Sequence, residues 1–304
     1  MSIIGLDIGG TTCAAVRAAD DGTVEKVRTL QTTDAAETLS GLFNAVEDLD
    51  PGGDPLFGIS CGGPLDSRRG IILSPPNLPG WDNITITDDL TRRFGGQAFL
   101  MNDANAGALA EWKFGAARGC ANVIFLTHGS GMGAGLILDG RLYEGTTGSA
   151  GEVGHIRMAP DGPEGFGKAG SFEGFCSGGG IARLARSMGF SGVLQSKKPA
   201  TARDIALAAE QGDPKAIEIF QLSGQYLGQA LSTLIDILNP EIIVLGNIYT
   251  RAGNLLKESM MEVLKRETLP GSLKACRITG AQLGEDTGNC AAVTAALYNR
   301  NLLH

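Results

Sequence analysis

The sequence predicts an α/β fold built as two related lobes. Three observations point there: β-rich runs that alternate with helical periodicity, a strand–glycine-turn–strand pattern that occurs twice, and a chain of 304 residues that is 43% hydrophobic. That length and content suffice for a sizeable core and favour two lobes over one.

The first copy of the pattern opens at Ile3. Residues 3–8 form a β-rich run that ends in Gly9-Gly10-Thr11-Thr12, apolar residues resume over 13–16, and Asp21-Gly22 marks a turn. Together these read as a hairpin with a glycine-rich first turn. Residues 38–49 read as a helix, 56–61 as a strand running into Gly62-Gly63-Pro64, 99–101 as a short strand leading to Asn102-Asp103, and 104–114 as a helix. The second copy begins at Val123: a strand over 123–127, the turn His128-Gly129-Ser130-Gly131-Met132-Gly133, an apolar run over 134–138 and a second Asp-Gly turn at Asp139-Gly140. Such a repeat implies two lobes that open alike, with turns that would grip one polyphosphate from both sides.

Further on, residues 213–239 carry the strongest helical signal. Asp213 suits the N-cap and Pro214 the first helical position. Ile217, Phe220, Leu227, Leu231, Leu234 and Leu238 keep a three/four spacing, with Gly224 in the missing slot, and Asn239-Pro240 ends the helix. Residues 241–245 read as a buried strand that stops at Gly246. These readings give a small lobe of residues 1–114, completed by a C-terminal helix over 288–304, and a large lobe of residues 115–287.

Composition narrows the function. A net charge of −8 argues against a nucleic-acid partner, which needs a basic face. It leaves nucleotides open, because backbone N–H groups and a metal can hold phosphates on an acidic protein. Apolar runs fall short of the roughly 18 residues of a membrane helix, and the start of the chain reads as a strand, not as a signal peptide. The six cysteines are scattered without a CxxC pair, which suits reduced structural thiols and a cytoplasmic location. The 45 glycines exceed the average share of about 7% and follow no low-complexity period, so tight turns or close backbone approaches account for them.

Three motifs carry chemistry. In Asp7-Ile8-Gly9-Gly10-Thr11-Thr12 the glycines let amides approach phosphate oxygens, the threonines add donors, and the carboxylate at the strand end could hold hydrated Mg²⁺. A Gly-Gly pair alone would equally suit an ordinary turn. The second turn, from Gly129 to Gly135, has the glycine spacing of a dinucleotide site, but an apolar strand follows it where such a site opens a helix. An ATP cleft fits the two turns better. Asp103 reads either as a helix cap or as a general base for a hydroxyl attacking a γ-phosphate. In Gly145-Thr146-Thr147-Gly148-Ser149-Ala150-Gly151-Glu152-Val153-Gly154-His155, Glu152 and one of only three histidines lie three residues apart. They suit two sides of a sugar ring, or half a metal site.

These pieces, in this order and spacing, resemble the ROK family of bacterial sugar kinases (repressor, open reading frame, kinase) across nearly the whole chain. The matching stretches are Gly5-Leu6-Asp7-Ile8-Gly9-Gly10-Thr11, Gly63-Pro64, Pro76-Asn77-Leu78-Pro79-Gly80-Trp81, Asn102-Asp103-Ala104-Asn105-Ala106, Gly129-Ser130-Gly131-Met132-Gly133, the signature region from Gly145 to His155, and Asn239-Pro240-Glu241-Ile242-Ile243-Val244-Leu245-Gly246. The resemblance implies an actin-like, hexokinase-like fold, a duplicated ribonuclease H-like unit with an ATP cleft between lobes. It implies Asp103 as catalytic base and Asp7 as the carboxylate associated with Mg²⁺, through water. Gly63, Asn77, Asn102, Asp103, Glu152, His155 and Glu173 become sugar ligands, while Gly9, Gly10, Thr11, Thr12, Gly129, Ser130, Gly131 and Gly246 become ATP ligands. A homodimer is implied as well.

One departure matters. The family's zinc motif, CxCGxxGCxE, falls on Glu164-Gly165-Phe166-Gly167-Lys168-Ala169-Gly170-Ser171-Phe172-Glu173, where Glu164, Phe166 and Ser171 stand in place of the cysteines. Phe cannot ligate zinc and Ser is a poor ligand, so no structural zinc is expected. Glu173 then needs positioning by packing, through Phe166 and Phe172, and His155 is free for the sugar. The expected reaction is ATP-dependent phosphorylation of a hexose or hexose derivative. Glucose and N-acetylmannosamine are favoured, with fructose, allose, N-acetylglucosamine and β-glucosides behind them. Loss of the cysteines in some acylaminosugar kinases of the family raises the second choice. A non-catalytic sugar sensor is the alternative. A repressor would need a helix-turn-helix before the strand at residue 3, and an actin-like ATPase would have no use for Glu152, His155 and Glu173.

Overall fold

A computed structural model describes residues 2–190 and 199–300. Residues 301–304 of the expected C-terminal helix lie outside the described residues. The chain separates into two compact units: one holds residues up to Arg118, Glu144–Gly148 and the chain from Glu285 onward, and the other holds Gly119–Tyr143 and Ser149–Gly284.

In the first unit the strands Ile3–Ile8, Thr12–Ala18, Val24–Gln31, Leu56–Cys61 and Gln97–Asn102 form a five-stranded sheet. The first three make an antiparallel meander, and Leu56–Cys61 and Gln97–Asn102 add parallel strands on the other side of Ile3–Ile8. The second unit repeats the scheme with Val123–Leu126, Ala134–Leu138 and Arg141–Leu142 as the meander, and Ile242–Leu245 and Arg277–Gly280 as the parallel additions. The repeat visible in the two glycine turns is thus a repeat of whole sheets. Strand runs such as Leu56–Cys61 and Ile242–Leu245 are buried along their full length, as parallel strands covered on both faces require.

Helix boundaries follow their caps. The helix expected over 38–49 is Ala35–Asp48, because Asp34 accepts from the Glu37 amide and starts it earlier. Asp213 caps Pro214–Leu238 by accepting from the amides of Lys215 and Ala216, and Asn239, in the left-handed conformation, ends it. Gly224 fills its gap in the apolar spacing for a reason: a Cβ there would lie 2.7 Å from the Leu256 carbonyl oxygen, and one at Gly228 2.5 Å from that of Met260. These glycines let Pro214–Leu238 press its backbone onto the helix Asn247–Glu267.

The first unit uses the same device between helix and sheet. Gly5 and Gly58 are paired neighbours on parallel strands. Both lie under the helix Thr287–Asn299, whose Ala291, Ala292, Ala295 and Ala296 are buried. A Cβ on Gly58 would run into the Ala292 carbonyl and lie 2.6 Å from the Ala296 amide nitrogen. Gly58→Ala is therefore expected to destabilise the fold by about 1–3 kcal/mol through overpacking, read as a lower urea midpoint with the m-value unchanged.

Candidate active site

The first sheet delivers its functional residues along one edge. Strands Ile3–Ile8, Leu56–Cys61 and Gln97–Asn102 are in register, with Ile8 beside Cys61 and Cys61 beside Asn102. The residues that follow, Gly9-Gly10, Gly62-Gly63 and Asp103, therefore emerge at the same carboxyl edge, where open α/β sheets bind ligands. Gly63 is joined to Pro64 by a cis peptide.

The first glycine turn is held from behind. The Gly9 amide donates to the Thr12 carbonyl at 3.2 Å, and the Thr32 hydroxyl donates to the Gly9 carbonyl at 2.6 Å. Among the described residues the amides of Gly10 and Thr11 have no hydrogen-bond partner, and Thr11 and Thr12 are exposed. A Cβ on Gly10 would lie 2.6 Å from the Asn77 carbonyl oxygen, so the turn runs directly against exposed Asn77.

Asn102, not Asp103, caps the helix Asp103–Lys113: its Oδ1 accepts from the Ala104 amide at 2.9 Å and from that of Asn105 at 3.4 Å. Asp103 also accepts from the Ala104 amide, at 2.8 Å. It stays solvent-accessible. Protein atoms nevertheless crowd it enough that loss of water raises its pKa, and the Ala104 hydrogen bond opposes this. Asp7 is pushed from 3.8 up to about 6, first by burial and then by the charge of Asp103. Gly288, at the start of the helix Thr287–Asn299, packs against the Asp7 carboxylate.

Two carboxylates at one sheet edge, with the charge of Asp103 adding to the raised pKa of Asp7, form an oxygen-rich spot of the kind that suits a hard cation. Among the described residues no cluster of three or more His, Cys, Asp or Glu side chains is arranged to hold a metal ion. The pair also carries a stability cost without a cation. Folded Asp7 keeps its proton up to about pH 6 and unfolded Asp only to about 3.8, so stability from this group is full below pH 3.8 and is lost as pH rises to 6. Asp7→Asn is accordingly expected to raise metal-free stability at pH 7 by on the order of 1–3 kcal/mol; an unchanged or lowered melting temperature would contradict this.

In the second unit, Leu126, Leu245 and Gly280 end their strands side by side. The second glycine turn and Gly246 follow from that edge. The Gly246 amide donates to the Leu126 carbonyl, and a Cβ there would lie 2.5 Å from the Thr127 carbonyl oxygen. Within the turn, Gly129 donates to the Gly131 carbonyl and Gly133 to the Thr127 hydroxyl, both at 3.1 Å. The amides of Ser130 and Gly131 have no partner among the described residues. The Met132 amide donates to Glu173 Oε2 at 3.1 Å, so a residue expected on the sugar is anchored by the turn expected on the phosphates.

Glu152 and His155 are exposed on a 3₁₀ turn, Val153–His155, whose Gly154 packs against Glu173: a Cβ there would lie 3.3 Å from the Glu173 Cβ. The positioning expected of Phe166 differs. Phe166 is 64% exposed, at the turn of the short hairpin Glu164–Gly165/Lys168–Ala169, with its ring edge-on to His155 at 6.4 Å. Phe172 is buried in the core, as packing requires. Ser171, on a cysteine position of the zinc motif, caps the helix Phe172–Cys176 by accepting from the Gly174 amide. Lys168 donates to the His155 carbonyl at 2.6 Å.

The first unit thus gathers Asp7, Gly9, Gly10, Thr11, Thr12, Gly63, Asn77, Asn102 and Asp103, and the second gathers Gly129, Ser130, Gly131, Glu152, His155, Glu173 and Gly246. Sequence reasoning passed over Gly288, Met132 and Asn247, whose side chain abuts Gly129. Only the glycine at 288 hinted at a close approach.

Residues 3–298 match the model of the ROK family. The chain belongs to the ROK family. A glucokinase of Thermotoga maritima is 32% identical, with 97% of this chain and 96% of that protein aligned. The crystal structure of a ROK family glucokinase from Streptomyces griseus, in complex with glucose and AMPPNP, is similar with a TM-score of 0.82 at 30% identity, covering 99% of this chain and 100% of that one. A xylose repressor of Caldicellulosiruptor bescii is 30% identical over 70% of this chain and 55% of the repressor. The fold of this ROK protein is the actin-like, hexokinase-like one, and the two matching sheets are its repeated halves. Glucokinases align with it over nearly their full length at 30–32% identity, and with the glucokinase structure this makes it a sugar kinase. Among the described residues no helix is long and apolar enough to cross a membrane.

Proposed function

We propose that this ROK sugar kinase transfers the γ-phosphoryl group of ATP to a hydroxyl of a hexose or close hexose derivative, with glucose or N-acetylmannosamine favoured. The observation that carries the reading is the Asp7–Asp103 pair, raised in pKa, at the sheet edge that also bears a glycine turn with unpaired amides. The glucokinase relatives support glucose as acceptor and ATP as donor.

In the first unit, Gly63, Asn77 and Asn102 would meet the sugar, and Asp103 would accept the proton of the attacking hydroxyl. As the oxygen–phosphorus bond forms, the bond from the γ-phosphorus to the bridging oxygen breaks and ADP leaves. A carboxylate made more basic by loss of water is a better acceptor for that proton. Gly9, Gly10, Thr11 and Thr12 would hold phosphate oxygens through amides and hydroxyls. Asp7 would hold Mg²⁺ through water, and the ion would supply charge neutralisation at the phosphates. In the second unit, Gly129, Ser130, Gly131 and Gly246 would meet the nucleotide, and Glu152, His155 and Glu173 the sugar hydroxyls. The reading extends to a cytoplasmic homodimer, which the resemblance supports.

A coupled ADP-release assay against hexoses, N-acylaminosugars and β-glucosides tests the reaction. Turnover with one class is expected, and silence across the panel from folded, AMPPNP-binding protein would remove the kinase reading. Asp103→Asn is expected to lower kcat about 10²- to 10⁴-fold while the sugar still binds. Near-wild-type turnover in that variant would show that another group takes the proton.

A further inference from the structure

His128 takes no part in the proposed chemistry, yet it is fully buried at the base of the second glycine turn. Its backbone is left-handed, with φ of 41°. Its Nε2 lies 3.0 Å from the Cys176 carbonyl oxygen, and its buried Nδ1 has no partner among the described residues. Burial lowers its pKa to about 4, so the ring is neutral near pH 7 and Nε2–H donates to that carbonyl.

An imidazole with an orphan nitrogen in a left-handed backbone is a costly way to end a strand. Glycine would suit the backbone better and leucine the burial. Neither reaches the Cys176 carbonyl, at the end of the helix Phe172–Cys176 that carries Glu173. Two other bonds join the same parts: the Gly178 amide to the Gly129 carbonyl at 2.8 Å, and the Met132 amide to Glu173 Oε2. On the other side, the His128 carbonyl accepts from the Ile248 amide at 2.9 Å, in the first turn of the helix that follows Gly246.

We infer that His128 is a positioning residue that locks the glycine turn to the Glu173 helix, so that nucleotide and sugar affinity depend on one hydrogen-bonded block. This rests on the proposed assignment of the turn to phosphates and of Glu173 to the sugar. The test compares His128→Leu, which fills the space without the bond, with His128→Gln, whose side-chain N–H can take the place of Nε2–H. Calorimetric titration with Mg-AMPPNP, KM for the sugar and kcat are measured well below each variant's melting temperature.

The Leu variant is expected to weaken AMPPNP binding and raise the sugar KM by about three- to tenfold each, with a smaller change in kcat. The Gln variant is expected to restore both to within about twofold. A folded Leu variant with wild-type affinities, or a Gln variant no better than Leu, would overturn the role; a lowered melting temperature with unchanged affinities would mark His128 as structural only. Failure of the wild-type protein to bind AMPPNP would instead overturn the proposed function on which the role depends.

Discussion

The close contact between the helix Thr287–Asn299 and the glycines Gly5 and Gly58 fixes much of the first unit. Neither glycine has a side chain to hold the helix away, and the alanines at 292 and 296 keep the other surface equally thin. The helix therefore lies on the sheet backbone itself, and its first turn brings Gly288 against the Asp7 carboxylate. Water is displaced from Asp7 as a direct result, which is the larger cause of its raised pKa. Strand register then does the rest: because Ile8, Cys61 and Asn102 end in one row, Asp103 comes close enough to add its charge to the same effect. Packing that is purely apolar thus creates an electrostatic site that is unfavourable on its own, as functional sites often are.

The second unit solves a different problem with polar contacts. Its glycine turn has few side chains with which to be held, so it is tied through backbone groups: to Glu173 at Met132, to the helix Gly178–Ser187 at Gly129, and to the helix Asn247–Glu267 at His128. Each bond consumes a group of the turn that faces protein, and the Ser130 and Gly131 amides are left over. Unpaired amides in a preformed loop are what an anion site needs, since no rearrangement precedes binding.

Much of this was legible in the sequence because the relevant signals were local. Asp213-Pro214 and Asn239-Pro240 bracket a helix whatever the surroundings, and the apolar runs of the parallel strands stand out between glycines. The doubled strand–turn–strand pattern correctly announced a doubled sheet. What remained hidden depends on contacts between distant parts of the chain. Nothing near Asp103 tells that Asn102 takes the cap position and that Asp103 opens the helix, since either residue type caps well. The helix Asn247–Glu267 follows a glycine that gives it no side-chain cap, so it lacks the usual start signal. The role of Gly224 as a contact surface needed the partner helix to be seen.

In the stretch from Glu164 to Glu173 the glycines are fixed by the path of the chain. Gly165 is required where it stands: a Cβ there would lie 2.5 Å from the Gly174 amide nitrogen and 2.8 Å from the Glu173 Cβ. Gly170 is in the left-handed conformation against the Ala159 carbonyl. These constraints concern the path of the hairpin and not a metal, so they hold with Glu164, Phe166 and Ser171 in place of the cysteines. Ser171 turns its hydroxyl to the Gly174 amide and starts the helix that carries Glu173. Hydrogen bonds therefore hold Glu173 at two points, Ser171 at the start of its short helix and the Met132 amide at its carboxylate. The carboxylate of Glu173 is aimed by the Met132 amide, whereas Phe166, exposed beside His155, takes no part in that hold.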